Sequence, residues 1–363
     1  MGETQIFKQI KTHPLYLLMV AFPLSILASL LDWGAGWIFV FSAVGIIPLA
    51  GIIGDSTEVL ASNIGPKMGG LINATLGNAA ELIITLFAIK RGLLDLVKAS
   101  LTGSIIGNLL FVLGLSIFLG GVKNGEQKFD RRHTVNNTIL LAIAVVGLVT
   151  PSMFSYTLTN GITQEIEILS ICVATVMIFI YSLGIIYSLK SKAIEGIGIR
   201  LNNNVGNNEH KKNGRSFFML AISTVGVIWL SELLVGSVEE VVANTGISEI
   251  FLGIILVPII GNIAEHLVAV KMAIKNKMEL SMEIAISSSL QIALFVSPIL
   301  VFVSLLMKNP LTLVFNPIEL SVLGASVLIC YFVAADGESN WLEGAALLAV
   351  YVIFGLAFYF FPG

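Results

Sequence analysis

The chain has 363 residues, 56% of them hydrophobic and 12% charged, with a formal net charge of −3 and a mean hydropathy of +0.93. Soluble proteins carry about 25% charged residues, so this chain has about half the ionic surface needed to keep one large fold in water, and its charge gives no basic field for phosphates. That excludes an ordinary cytosolic enzyme, a disordered chain and a nucleic-acid binder, and points to an integral membrane protein.

A helix needs about 20 apolar residues to cross roughly 30 Å of hydrocarbon. Eleven such stretches follow in order: 14–31, 38–60, 71–89, 96–119, 134–155, 165–189, 216–240, 249–274, 281–306, 317–335 and 341–361. They are too long for barrel strands and lack strict alternation, so the fold class is all-α, with about eleven transmembrane helices. The first stretch follows Lys8 and Lys11, but it is long enough to span and no small-residue cleavage site follows it, so it reads as a helix rather than a signal peptide. Residues 190–215 form the one substantial polar segment, and its asparagine-rich centre suits a flexible cytoplasmic tether. Cys172 and Cys330 lie far apart in apolar runs, which indicates neither a disulfide framework nor a metal site.

Placing the N-terminus in the cytoplasm puts 16 of the 20 Lys and Arg inside, leaving Lys90, Arg91, Lys98 and Lys308 outside. The positive-inside rule favours that orientation, with the C-terminus outside.

Residues 77–81 read GNAAE, and residues 261–265 read GNIAE, 184 positions later. Upstream, EVLA from Glu58 matches EVVA from Glu240. Downstream, GSIIGNLLFVLG (103–114) echoes SSSLQIALFVSP (287–298). The chain therefore divides into an N-terminal segment with an extra first helix (1–37), a first repeat holding helices 2–6 (38–189), the linker (190–215) and a second repeat holding helices 7–11 (216–363). Five spans per copy is an odd number, so the copies enter the membrane from opposite sides. Inverted repeats around a midplane site are a recurring plan of secondary transporters.

Glu81 and Glu265 lie well inside their spans, and no Lys or Arg sits within a helical turn of either. A carboxylate in hydrocarbon costs several kcal/mol unless it is paired or solvated, so its default reading is functional. Asn78 and Asn262 precede the glutamates by three residues, on the same helix face. The glycine before each asparagine allows either a close backbone approach or a kink that frees carbonyl oxygens. Such an all-oxygen set suits a hard cation, and Ca²⁺ accepts 6–8 oxygens. His266 is either a neighbour that tunes the site or a packed histidine. Ser104 and Asn108, with Ser288 and Gln291, offer oxygens from the following helix of each copy, as ligands or as packing glue. Glu58 and Glu240 are either permeation-path carboxylates or solvated caps near helix ends. Asp95, Glu279 and Glu283 read as first-turn acids that complement a helix dipole, and Glu232 has no assigned role.

The paired GNAAE and GNIAEH segments resemble the signature repeats of the cation/calcium exchanger superfamily, and most closely its calcium/proton (CAX) branch. GSIIGNLLFVLG and SSSLQIALFVSP resemble that branch too, and the similarity covers residues 38–361. The resemblance implies a calcium site between the repeats, protons as counter-ion and no resident cofactor. It makes Glu81 and Glu265 the calcium- and proton-binding carboxylates, with Asn78 and Asn262 beside them. Sodium-coupled relatives use an acid where Gln291 stands here. Vacuolar members carry a strongly acidic helix in the linker, whereas residues 190–215 are net basic. The expectation is thus a prokaryotic cell-membrane antiporter embedded in lipid, with a homo-oligomer compatible with the sequence. The alternatives are a sodium/calcium exchanger, another cation/proton exchanger and, more remotely, a cation channel.

Overall fold

The computed structural model describes residues 14–64, 75–157, 163–190 and 209–360. The tether expected at 190–215 lies largely outside these residues, as does the start of the 71–89 stretch. A 3₁₀ segment, Pro14–Val20, leads into α1 (Ala21–Leu30), followed by α2 (Ala35–Ile64) and α3 (Ala79–Arg91). Next come α4 (Leu94–Ile106), a π-helical segment π1 (Gly107–Val112), α5 (Leu113–Asn124), strand β1 (Gln127–Lys128), α6 (Arg131–Thr157) and α7 (Thr163–Lys190). The second half holds α8 (Glu209–Thr245), the short α9 (Glu249–Phe251), π2 (Leu252–Leu256), α10 (Val257–Ile274), α11 (Met278–Gln291), π3 (Ile292–Val296) and α12 (Ser297–Ser304). It ends with α13 (Pro317–Ala334), strand β2 (Glu338–Ser339) and α14 (Trp341–Phe360).

Joined across their π segments, these pieces make eleven rods at the eleven sequence stretches. Nine of them, among the described residues, are long and apolar enough to cross a membrane. Outward side chains such as Phe179, Val225 and Phe332 are more than 60% exposed, as a surface meeting lipid requires.

Packing divides the chain into two compact units, each drawing on both sequence halves. The first takes α1, α2, α8, α3 through Phe87, and Ile260–Ala264 of α10. Here α2 and α8 approach closely through glycines. A Cβ at Gly45 would lie 2.9 Å from Leu230 Cδ1, and one at Gly226 would lie 2.8 Å from Leu49 Cδ1. The two glycine–leucine seats are the same contact seen from either helix, 181 positions apart, as a pseudo-two-fold relation between repeats demands.

The second unit takes the rest, and the repeat is visible in its backbone. Helices α4 and α11 begin 184 positions apart, at Leu94 and Met278. The turns before them carry left-handed residues at the same offset, Gly92 (φ 82°) and Asn276 (φ 59°). Both long helices pass into a π segment at the matching place. Even the caps are exchanged between copies: Asn309 Nδ2 donates to the Ile89 carbonyl at 2.9 Å, and Gln127 Nε2 donates to the Ala273 carbonyl at 2.9 Å. Ile89 and Ala273 are again 184 apart. Left-handed backbone suits glycine and is tolerated by asparagine. Replacing Gly92 with Ala is therefore expected to cost about 1 kcal/mol, while Asn276→Gly costs less. Thermal unfolding in detergent would read the difference.

Candidate functional site

The GN pair of the first repeat interrupts its helix. Thr75 and Leu76 are helical, Gly77 and Asn78 form a turn, and the helix restarts at Ala79. Glu81 thus falls in the first turn of α3, where exposed N–H dipoles favour a carboxylate. It is 1% exposed, as is Asn78. In the second repeat the same pair sits inside continuous α10 and does something else. A Cβ at Gly261 would meet Glu81 Cβ at 3.6 Å and its backbone N and Cα at 3.8 Å, so the missing side chain lets α10 seat against Glu81. Asn262, 2% exposed, then donates from Nδ2 to Glu81 Oε2 at 3.3 Å. Of the two roles open to glycine, Gly77 takes the kink and Gly261 the close approach. All of these residues lie in the first unit.

Glu265 lies one helical turn beyond Asn262 and belongs to the second unit, where the Ser288 hydroxyl of α11 faces its carboxyl. Glu265 Oε2 and Ser288 Oγ are sealed from solvent with no hydrogen-bond partner among the described residues. Each such atom costs about 1–3 kcal/mol unless a ligand or water satisfies it. His266, 7% exposed, donates from Nε2 to Asn108 Oδ1 at 3.1 Å and sets its ring edge-on to Phe111. The oxygen expected from Asn108 is thus given to His266, and Asn108 Nδ2 is enclosed with no partner among the described residues. Ser104 is buried one turn before Asn108, and Gln291, the last residue of α11, is half-buried.

Glu58 and Glu240 are exposed and lie six and five residues from the ends of α2 and α8. Glu232 is exposed on the middle of α8. Asp95 and Glu279 do stand in the first turns of α4 and α11. Glu283 does not: it sits a turn further on, and its Oε2 lies 2.7 Å from His133 Nε2 with Asn137 Nδ2 at 3.4 Å. Its role is an inter-helix pair with α6 rather than a dipole cap.

One buried acid escapes a search for motifs. Glu319, 2% exposed, stands in the first turn of α13 and accepts from Thr102 Oγ1 at 3.1 Å. An acid two residues after Pro317 at the mouth of an apolar span was its available signal.

The family model for sodium/calcium exchanger proteins matches residues 34–190 and 215–360 of this chain. A Ca²⁺/H⁺ antiporter of Aphanothece halophytica is 41% identical over 358 residues, 95% of this chain and 96% of the relative. The Ca²⁺/H⁺ antiporter ChaA of Bacillus subtilis is 42% identical over 345 residues, 93% of this chain and 96% of the relative. The solved structure of native YfkE is 40% identical with a TM-score of 0.83, covering 95% of this chain and 99% of that one.

Proposed function

Since the chain belongs to the sodium/calcium exchanger protein family, and relatives named Ca²⁺/H⁺ antiporter align over more than nine-tenths of it, we propose that it is a secondary active antiporter exchanging Ca²⁺ for protons by alternating access. Glu81 and Glu265 are the shared carboxylates in this reading, with Asn78, Asn262 and the Ser288 hydroxyl supplying or orienting neutral oxygens. One observation carries the site assignment: the duplicated motif delivers a buried acid, Glu81, held by Gly261 and Asn262, and a half-buried acid, Glu265, that faces Ser288 and keeps an enclosed Oε2 for a ligand.

With both carboxyls ionised the site attracts a divalent cation. Protons arriving from the acidic side neutralise them, remove the Coulombic hold and release the ion. Two protons would balance the two charges of Ca²⁺. The neutral pair can then be carried through the apolar interior during reorientation, where two bare charges would be opposed by several kcal/mol. The driving gradient is that of protons across a prokaryotic cell membrane, with the N-terminus in the cytoplasm. His266, held by Asn108, fixes the wall beside Glu265 rather than binding the ion.

The test is Ca²⁺ uptake into proteoliposomes under an imposed proton gradient. Uptake that follows the gradient and ignores sodium is the expected result. Sodium-driven uptake would place the chain with the sodium-coupled exchangers, against the neutral side chain at Gln291. Single-channel conductance would overturn the carrier reading altogether.

A further inference from the structure

The exchange reaction described above leaves Glu319 unused. It is the third residue of α13, whose start is capped by Asn316 Oδ1 accepting from the Ile318 N–H at 2.9 Å. Its partner, the Thr102 hydroxyl, lies 3.1 Å from Glu319 Oε2, 3.1 Å from the Lys98 carbonyl and 3.2 Å from the Ala99 carbonyl. A hydroxyl has one proton. If it goes to a carbonyl of its own helix, the Glu319 contact requires a proton on the carboxyl; if it goes to Glu319, the carboxyl can be ionised. Both states can make the contact, but the ionised one is a buried charge with one hydroxyl donor, which is unfavourable in an apolar interior.

A polar ladder leads to this carboxyl from the surface. Asp95, Lys98 and Thr102 follow at i, i+3 and i+7 on one face of α4. The Asp95 side chain is 72% exposed and that of Lys98 16%, their charged atoms 3.3 Å apart. On this face of α4 the Lys98 ammonium has the sign that favours a charged carboxyl and the Asp95 carboxylate the sign that opposes one. Of the other elements that pack on α13, π1 has no ionisable residue, α6 bears Arg131, Arg132 and His133 at its start, and β2 bears Glu338. Helix α4 bears Ser104 half a turn past Thr102 and runs into Asn108, the residue that holds His266. How α4 is fastened to α13 therefore bears on the wall beside Glu265.

We propose that Glu319 is a proton-sensing positioning residue: when neutral it fastens α4 to α13 in the packing that transports, and when ionised it loosens that contact. This rests on the antiporter reading and adds to it a pH response separate from the two ion-site glutamates. The experiment is the pH profile of Ca²⁺ transport in proteoliposomes, with the pH on both sides moved together so that the gradient stays fixed. Wild-type transport is expected to decline at alkaline pH as Glu319 ionises, and Glu319→Gln to remove that decline while leaving activity at the acid end within about twofold. Lys98→Met should move the decline to higher pH and Asp95→Asn to lower pH, each by about half a unit. Opposite shifts are the signature; unchanged profiles, or shifts of the same sign, overturn the proposal, as does a Glu319→Gln protein equally impaired at every pH. The two surface variants decide the matter even if Glu319→Gln fails to fold. Melting temperatures of the wild type and the same variants in detergent, from roughly pH 5 to pH 9, read the contact without transport. A wild type that carries no Ca²⁺ but shows the displaced melting profiles defeats the antiporter reading and leaves Glu319 standing.

Discussion

Glu81→Gln and Glu265→Gln are each expected to reduce proton-driven Ca²⁺ uptake by at least about 100-fold, a loss of roughly 3 kcal/mol in holding the ion. In the proposed mechanism each change removes one of the two charges that would oppose a divalent cation and one site that would take up a proton, so binding and coupling should fail together. Neither should unfold the protein. At position 81 the substituted amide keeps an oxygen for Asn262 Nδ2, the donor now 3.3 Å from Glu81 Oε2. At position 265 it replaces a carboxyl whose Oε2 has no partner among the described residues. Melting temperature supplies the second readout. A ligand that binds only the folded state stabilises it by about 2.7 kcal/mol at 100 times its Kd, so Ca²⁺ should raise the melting temperature of the wild type and leave both variants unmoved. Variants that melt as the wild type does without Ca²⁺ and lack the Ca²⁺-dependent rise are the outcome that supports the assignment. Either variant retaining uptake at a tenth or more of the wild-type rate would remove its glutamate from the site.

The features legible in the amino-acid sequence follow from period and offset. Apolar length located all eleven rods, because hydrocarbon thickness imposes one length on every span. The 184-residue offset between the GN motifs turned out to be a backbone offset too: it relates Gly92 to Asn276, Leu94 to Met278 and Ile89 to Ala273. The two uses of the motif glycines could not be separated in advance, since a kink at Gly77 and a close approach at Gly261 ask for the same residue. Glu319 and the His133–Glu283 pair were missed for a related reason. Both join helices far apart in sequence, and His133 and Glu319 occupy the third residue of α6 and α13, 186 apart rather than 184. Loops between the helices differ in length, so a search at the motif's own offset passes over them. Nor does an order of spans reveal that packing would gather α1, α2, α8 and most of α3 into one unit and the fourth to sixth rods into another; that depends on which faces fit.

The small-residue pattern Gly103-x-x-x-Gly107 gives the other large expected effect, and an unequal one. Both glycines look alike as a helix-contact surface, yet the structure uses one. A Cβ at Gly103 would be driven into the carbonyl of Ile254 in π2. A Cβ at Gly253, next to it on π2, would come within 2.6 Å of Ala99 Cβ and 2.9 Å of the Leu96 carbonyl, so α4 and π2 meet backbone to backbone. Around Gly107 nothing among the described residues lies within 4 Å of such a methyl. Overpacking a tight core costs about 1–3 kcal/mol and more where the obstacle cannot rotate aside, and a main-chain carbonyl cannot. Gly103→Ala should therefore lower the melting temperature sharply and take transport with it, because α4 carries Ser104 and leads to Asn108. Gly107→Ala should fold and transport nearly as the wild type does, with the better helix propensity of alanine offsetting part of any loss. Equal damage from the two substitutions would mean that π1, and not the α4–π2 seat, is the sensitive feature. Tolerance of both would mean that π2 can shift by more than an ångström, and the close seat between α4 and π2 would no longer explain why glycine stands at position 103.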